Sequence, residues 1–323
     1  MAAATGRPAL QTAEGREWSV AVIAARESPE TLCGVIDAAL EASRRHRTAL
    51  DILINGNQDL SRVAASFTAS KQGMRGGTVV TRIWAIAFRD KAHALNEYVH
   101  RIWPGSDIAF FLDGYARVEP DAFEQMASSL AARPDALGAG AGKSVYEVRP
   151  RGPGPAGITG NFNALRGGTM TEFRRREIRL PIGFYWVDGL TGAILSFGFD
   201  PAAHRWDTDN IVMALGAHCV TVRKSPWRLS DLRDHLNRMK RQARGRFENR
   251  AVREHLAVNR QSPRDFPETA REMVVSWIRQ HPMAAAWLAL RNPLVVGALL
   301  KLSQTQDLSN KNRPPVLVAT TEI

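Results

Sequence analysis

A chain of 323 residues, 44% of them hydrophobic and 23% charged, has ordinary globular composition and enough length for one large core plus an appendage. Its two cysteines, Cys33 and Cys219, exclude a disulfide framework or a cysteine-built metal cluster and suit a reducing, cytoplasmic compartment. The net charge of +11 is concentrated: between Arg223 and Arg260 stand twelve Lys/Arg against four Asp/Glu, a strip that expects nucleic acid, a nucleoside diphosphate or anionic lipid, or is only a solvated basic helix.

Residues 1–17 lack the basic region and apolar core of a secretory signal and read as a disordered leader. Ser19 to Ala25 is a short, β-branched apolar run. It breaks at Arg26-Glu27-Ser28-Pro29 before a helical pattern from Glu30 to Ala42. A second strand, Asp51 to Ile54, ends in the turn-rich run Asn55-Gly56-Asn57-Gln58-Asp59, and a helix follows near Leu60. This β-α-β-α rhythm predicts a parallel, doubly wound sheet with ligands at the carboxyl ends of its strands.

A strand at Val79 to Trp84 and a helix from Asp90 to Ile102 lead into Asp107 to Leu112, an apolar strand of the kind covered on both faces, which stops at Asp113. Next come a helix over Pro120 to Arg133, a strand over Leu137 to Val148, and a Pro/Gly loop from Pro150 to Gly157 that marks a seam. A helix from Ser230 to Glu248 carries Leu229, Leu232, Leu236, Met239 and Ala243 on one stripe. The apolar tail from Met283 to Leu300 is interrupted by Arg291-Asn292-Pro293, so it suits the surface of a membrane better than a span.

Four segments over residues 18–250 together resemble the family 2 glycosyltransferases. Ala25-Arg26-Glu27 and the turn at Asn55 are similar to the loops that receive base and ribose. Asp90-Lys91-Ala92-His93-Ala94-Leu95-Asn96 resembles the family's Gly-Lys and Ala-Leu-Asn helix start, and a lysine in a first helical turn opposes the dipole unless phosphate is near. Phe110 to Tyr115 is similar to the Asp-x-Asp strand end that holds a divalent cation, Mg²⁺ or Mn²⁺, on the diphosphate. Here Asp113 is the one retained ligand and Tyr115 stands in place of the second carboxylate. Gly160 to Arg166 and Val187-Asp188-Gly189 resemble the acceptor side, with Asp188 as the base that deprotonates the acceptor. The pair Asp207 and Asp209 is a rival, or a polar turn. His235 and Arg238 lie where related members carry a Gln-x-x-Arg-Trp signature.

The resemblance implies a GT-A type doubly wound, mostly parallel sheet flanked by helices. Its nucleotide-binding half is 18–135, its acceptor half 136–250, and 251–323 is a helical C-terminal extension and tail. It implies inverting transfer from a nucleotide sugar, UDP-linked by preference, to a hydroxyl acceptor that is lipid-linked at the inner face of the membrane. The basic helix and apolar tail suggest docking on an anionic membrane surface, and no nucleic acid is expected. Two other readings stay open: a nucleic-acid-binding protein using the basic helix, and a nucleotide-binding pseudoenzyme, which Tyr115 motivates. No Gly-x-Gly-x-x-Gly run follows the first strand, and the scattered histidines do not suggest zinc.

Overall fold

The structure is a computed structural model that describes residues 17–73, 78–142, 157–221, 229–291, 296–297 and 307–323, with the backbone alone for 229–238 and 240. Its first half alternates β1 (Trp18–Ala24), α1 (Pro29–Ala42), β2 (Thr48–Asn55), α2 (Gln58–Ala69), β3 (Val79–Ile86), α3 (Lys91–Glu97), β4 (Ile108–Asp113), β5 (Ala116–Val118) and α4 (Ala122–Ala131). The second half contains β6 (Gly138–Ala141), β7 (Phe162–Arg166), α5 (Gly167–Arg175), α6 (Val187–Ser196), β8 (Ile211–Ala214), β9 (Cys219–Thr221), α7 (Leu229–Arg253), α8 (Ala270–Gln280), α9 (Pro282–Arg291) and β10 (Val316–Glu322).

Eight strands form one sheet in the order β10-β3-β2-β1-β4-β7-β6-β8, and β5 pairs with β9 in a small second ladder. β1 to β4 run parallel to one another, β7 is antiparallel to both β4 and β6, and β8 is parallel to β6. The doubly wound, mostly parallel sheet expected from the sequence is therefore present. Every residue of β1 and β2 is buried, because helices cover both faces and leave no face for polar alternation. On one face α1, α2 and α4 enclose Leu32, Ile36, Leu60 and Phe123; on the other α3, α5, α6, α7 and α8 enclose Tyr98, Met170, Ile194, Phe247 and Trp277.

Local chemistry sets the boundaries. Ser28 caps α1, accepting from the Thr31 N–H at 3.2 Å, with Pro29 at its first position. Asn57 caps α2 in the same way. The helix expected over Asp90 to Ile102 ends as an α-helix at Glu97 and continues as a wider π turn, Tyr98–Ile102.

Two differences from the sequence reading matter for the site. Helix α5 begins Gly167-Gly168, poor helix formers, yet a Cβ on Gly167 would lie 2.0 Å from the Ser106 carbonyl oxygen, so packing selects the glycine. Arg174 then ties α5 to the carbonyls of Val99 and Trp103. The C-terminal extension is not purely helical either: β10 returns to the sheet and pairs antiparallel with β3, Thr321 opposite Thr81. Strands from residues before and after 135 lie in one sheet, joined where β4 meets β7. The expected leader lies outside the described residues apart from Glu17, as do the seam at Pro150 to Gly157 apart from Gly157, the end of the strand expected to reach Val148, and parts of the apolar tail. Among the described residues no helix is long and apolar enough to cross a membrane.

Candidate active site

The parallel register brings three strand ends to one edge. Ile23 of β1 is level with Asp113 of β4, and Ala24 is level with Ile54 of β2, next to Asn55. The loop leaving β4 presses on β1: the Gly114 N–H donates to the Ile23 carbonyl at 2.8 Å, and a Cβ on Gly114 would stand 2.8 Å from the Ala24 methyl. Because β7 is antiparallel, its start lies at the same edge, with Asn161 accepting from the Asp113 N–H at 3.1 Å and Gly160 just before it.

Four residues meet at that edge. The Lys91 ammonium, in the first turn of α3, donates to Asp113 Oδ1 at 2.6 Å and to the Gly160 carbonyl at 3.2 Å. Burial opposes its charge, but Asp113, Asp188 and Glu27 outweigh that and hold the lysine above its ordinary value. The Tyr115 hydroxyl lies 2.8 Å from Asp113 Oδ2 and 3.0 Å from Asn161 Oδ1; its single proton serves only one of these oxygens at a time. Asp188 is in the first turn of α6. A Cβ on Gly160 would come 3.1 Å from its carboxyl carbon and both oxygens, so the absence of a side chain there is what lets the carboxylate sit against this backbone. Burial raises the Asp188 pKa, Lys91 and the residue's own N–H oppose that, and Asp113 adds to it; the net shift is upward. No described side chain hydrogen-bonds to this carboxylate, which leaves a proton acceptor facing a cavity also lined by Ile23, Leu95, Phe111, Ile158 and Thr191.

The other expected residues have different uses. Glu27 turns back to accept from the N–H groups of Ala25 at 2.6 Å and Arg26 at 2.8 Å, fixing the loop after β1, while the Arg26 side chain is exposed. Asn55 is buried at the end of β2, its Oδ1 without a hydrogen-bond partner. Asn96, expected at the ligand, lines the same cavity and also pairs both ways with one backbone residue: Nδ2 donates to the Leu180 carbonyl and Oδ1 accepts from the Leu180 N–H, both at 2.8 Å. It braces the loop that passes through Leu180. The side chains of His235 and Arg238 lie outside the described residues, on α7. Asp207 and Asp209 form a polar turn in which Asp207 accepts from the Asp209 N–H at 2.8 Å. That turn precedes β8, which runs parallel to β6, so it sits at the opposite edge of the sheet from Asp113.

The donor set does not fit the divalent cation expected on Asp113. Among the described residues no group of three His, Cys, Asp or Glu could hold a metal. Asp113 already carries the Lys91 ammonium on one oxygen and the Tyr115 hydroxyl on the other. Two unit charges 4 Å apart interact by about 4 kcal/mol at an effective dielectric of 20, and a dication doubles this, so the ammonium opposes a metal at the same carboxylate.

A second network was not anticipated. Gly183, in the left-handed region at φ +80°, donates its N–H to Asp90 Oδ2 at 3.0 Å and accepts from Arg244 of α7. Arg244 donates to Glu248 at 2.7 Å, and Glu248, fully buried, accepts from the Tyr185 N–H at 2.8 Å. Burial raises the Glu248 pKa, and Arg244 with the Tyr185 and Trp186 N–H groups opposes it. Gly245 allows the contact, since a Cβ there would lie 3.2 Å from the Tyr185 ring. The loop before Asp188 is thus held between α3 and α7. One acid within a basic run was the available signal. The stripe expected on α7 is described from Met239 onward: Ala243 is buried, whereas Met239 is 38% exposed.

No family model matches the chain, and no curated protein sequence matches it. Among solved structures, a mannosyltransferase from Pyrobaculum calidifontis in complex with GDP-Man and Mn²⁺ is similar at a TM-score of 0.54 and 16% identity, over 93% of this chain and 78% of that one. The S. aureus protein TarS, residues 1–349, in complex with UDP-GlcNAc aligns at a TM-score of 0.47 and 11% identity, over 88% of this chain and 80% of that one. With the strand order and register described above, the likeness to the mannosyltransferase gives this chain a GT-A type fold.

Proposed function

We propose that the protein is an inverting glycosyltransferase that moves a sugar from a nucleoside-diphosphate sugar, UDP-linked by preference, to a hydroxyl acceptor in cell-surface glycan or glycolipid synthesis. The observation that carries this reading is the grouping of Lys91, Asp113 and Asp188 around Gly160 at the carboxyl edge of the sheet. Base and ribose lie over the loops at Ala25, Arg26, Glu27 and Asn55, and the diphosphate lies toward Lys91. Asp188 takes the acceptor proton as the acceptor oxygen bonds to the anomeric carbon and the carbon–oxygen bond to the diphosphate breaks. Attack from the side opposite the leaving group inverts the configuration. Positive charge beside the departing phosphate stabilises the negative charge that develops there.

A lipid-linked acceptor and a peripheral position on an anionic membrane face belong to the same reading. On α9, Met283 and Leu290 are 82% and 83% exposed, Trp287 lies between them on the same face, and Arg291 stands 3.7 Å from the Trp287 ring. Nucleic acid is not a partner in this reading, because Arg244 of the basic helix is used internally and Arg241 lies over the Tyr185 ring.

The test is calorimetric titration with UDP, GDP and dTDP, followed by an assay of sugar release from the matching nucleotide sugars. Binding of one nucleotide with sugar transfer or hydrolysis is the expected result. Binding without turnover would instead identify a pseudoenzyme, and failure of all three nucleotides would end the glycosyltransferase reading. Sedimentation with anionic vesicles at low salt tests the membrane position; a protein that stays in the supernatant has none.

A further inference from the structure

We infer that the Lys91 ammonium is itself the resident cation of this site, so that the protein binds the diphosphate of its nucleotide without a divalent metal. The inference rests on the proposed nucleotide-sugar chemistry and specifies which group meets the phosphates.

Three observations converge. Lys91 is held from two sides, by Asp113 Oδ1 at 2.6 Å and the Gly160 carbonyl at 3.2 Å, so its nitrogen occupies a defined point at the strand edge. An ammonium has three protons, and two are directed at these acceptors, which leaves the third for a phosphate oxygen. The side chain is 33% exposed while Asp113 beneath it is 12% exposed, so the cation is the group that an arriving ligand reaches. Tyr115, where a second carboxylate would stand in an Asp-x-Asp pair, covers the other oxygen of Asp113 at 2.8 Å and contributes no negative charge at neutral pH, its phenol being shifted upward by burial and by Asp113. The acid is therefore enclosed by a cation and a neutral donor. Asp113 orients the lysine, and the lysine offers the charge.

A lysine in the first turn of a helix also adds to the positive end of the helix dipole. Here that placement, unfavourable for a lysine alone, is offset by an anion at the ammonium. Asp90, which caps α3 through the His93 N–H at 2.9 Å, fixes the helix start from which Lys91 projects.

The experiment has two readouts. The first is calorimetric titration of the full chain with UDP and with GDP, in EDTA and in Mn²⁺. The affinity for the better nucleotide is expected to change less than about twofold between the two buffers. In EDTA it is expected to fall about 10- to 100-fold in Lys91→Met, the loss of a charge-assisted hydrogen bond. The second is Mn²⁺ binding by electron paramagnetic resonance without nucleotide. The wild-type protein is expected to leave the ion free, and the double variant Lys91→Met/Tyr115→Asp, which restores two carboxylates and removes the ammonium, is expected to bind it. Nucleotide binding that appears only with Mn²⁺, or Mn²⁺ retained by the wild-type site, overturns the inference and leaves the glycosyltransferase reading standing. No nucleotide binding in either buffer overturns both. Should Lys91→Met fail to fold by circular dichroism, Lys91→Gln and the single variant Tyr115→Asp carry the same comparison, since Tyr115 is 39% exposed.

Discussion

Glu248, on α7, accepts the backbone N–H of Tyr185 at 2.8 Å, just ahead of Asp188 and 63 residues away along the chain. A long helix outside the sheet thereby fixes the entry to the helix that carries the candidate base. Replacing Glu248 by Ala leaves Arg244 facing the Gly183 carbonyl without its buried counter-charge. Breaking a buried pair costs about 3 to 5 kcal/mol, so thermal unfolding of Glu248→Ala should begin well below that of the wild type. Glu248→Gln, which still accepts from Tyr185, should lose less.

Asp188→Asn removes the proton acceptor and preserves shape. Turnover should fall by about 10²- to 10⁴-fold, the usual contribution of a general base, with nucleotide affinity unchanged. The carboxylate acts when ionised, and burial raises its pKa above the ordinary value of 3.8. Activity should therefore be present at neutral pH and decline as the pH falls through that raised value. Lys91 opposes the rise. Whatever activity Lys91→Met retains should fail at a higher pH than the wild type, and a pH–rate profile of each protein measures both limbs.

Gly160→Ala introduces a methyl 3.1 Å from the Asp188 carboxyl group. That separation is tight enough to push the carboxylate aside by a few tenths of an ångström. Misplacing a reacting group by about 1 Å can cost about 100-fold in rate, so this smaller shift should lower turnover by up to about 10-fold, with little change in melting temperature. Comparison of kcat with thermal stability separates this effect from unfolding.

Asp51 provides a control away from the site. It is fully buried in β2 and accepts from Arg82 Nε at 2.7 Å, Arg82 Nη2 at 2.8 Å and Trp84 Nε1 at 2.9 Å. Asp51→Ala strands a mostly buried guanidinium and should destabilise the sheet by about 3 to 5 kcal/mol, whereas the nucleotide affinity of the remaining folded protein should be unchanged. Chemical denaturation alongside calorimetry checks the pair of outcomes.

The strands that build the site were legible because burial on both faces writes them as mostly apolar runs: β1 and β4 read nearly end to end, and with them the placing of Asp113 at a strand end, whereas β2, broken by its buried Asp51, was expected only from Asp51 to Ile54. Asp188 and Lys91 were singled out by the resemblance of their segments, and the structure brings both beside Gly160. What the sequence hid was tertiary in origin. That Asn96, besides lining the cavity, grips the backbone depends on where Leu180 passes, and its spacing from Lys91 carries no trace of that. Glu27 reads as a ligand-facing loop acid until the turn places it on its own neighbours' N–H groups. Helix α5, opening on two glycines, and Glu248, one acid among many bases, follow from contacts with distant elements that no local propensity encodes.

The antiparallel seat of β10 on β3 also bears on how the chain matures. Residues 79–86 are synthesised early, and their outer hydrogen-bonding groups find their partners only when Val316–Glu322 has been made. At about 5 to 20 residues per second, a ribosome leaves that edge bare for many seconds, a template for mispairing with other nascent chains. Strand β10 therefore acts as a closure on the β3 edge of the sheet. A chain halted before it would emerge with its candidate active site assembled and the β3 edge uncovered.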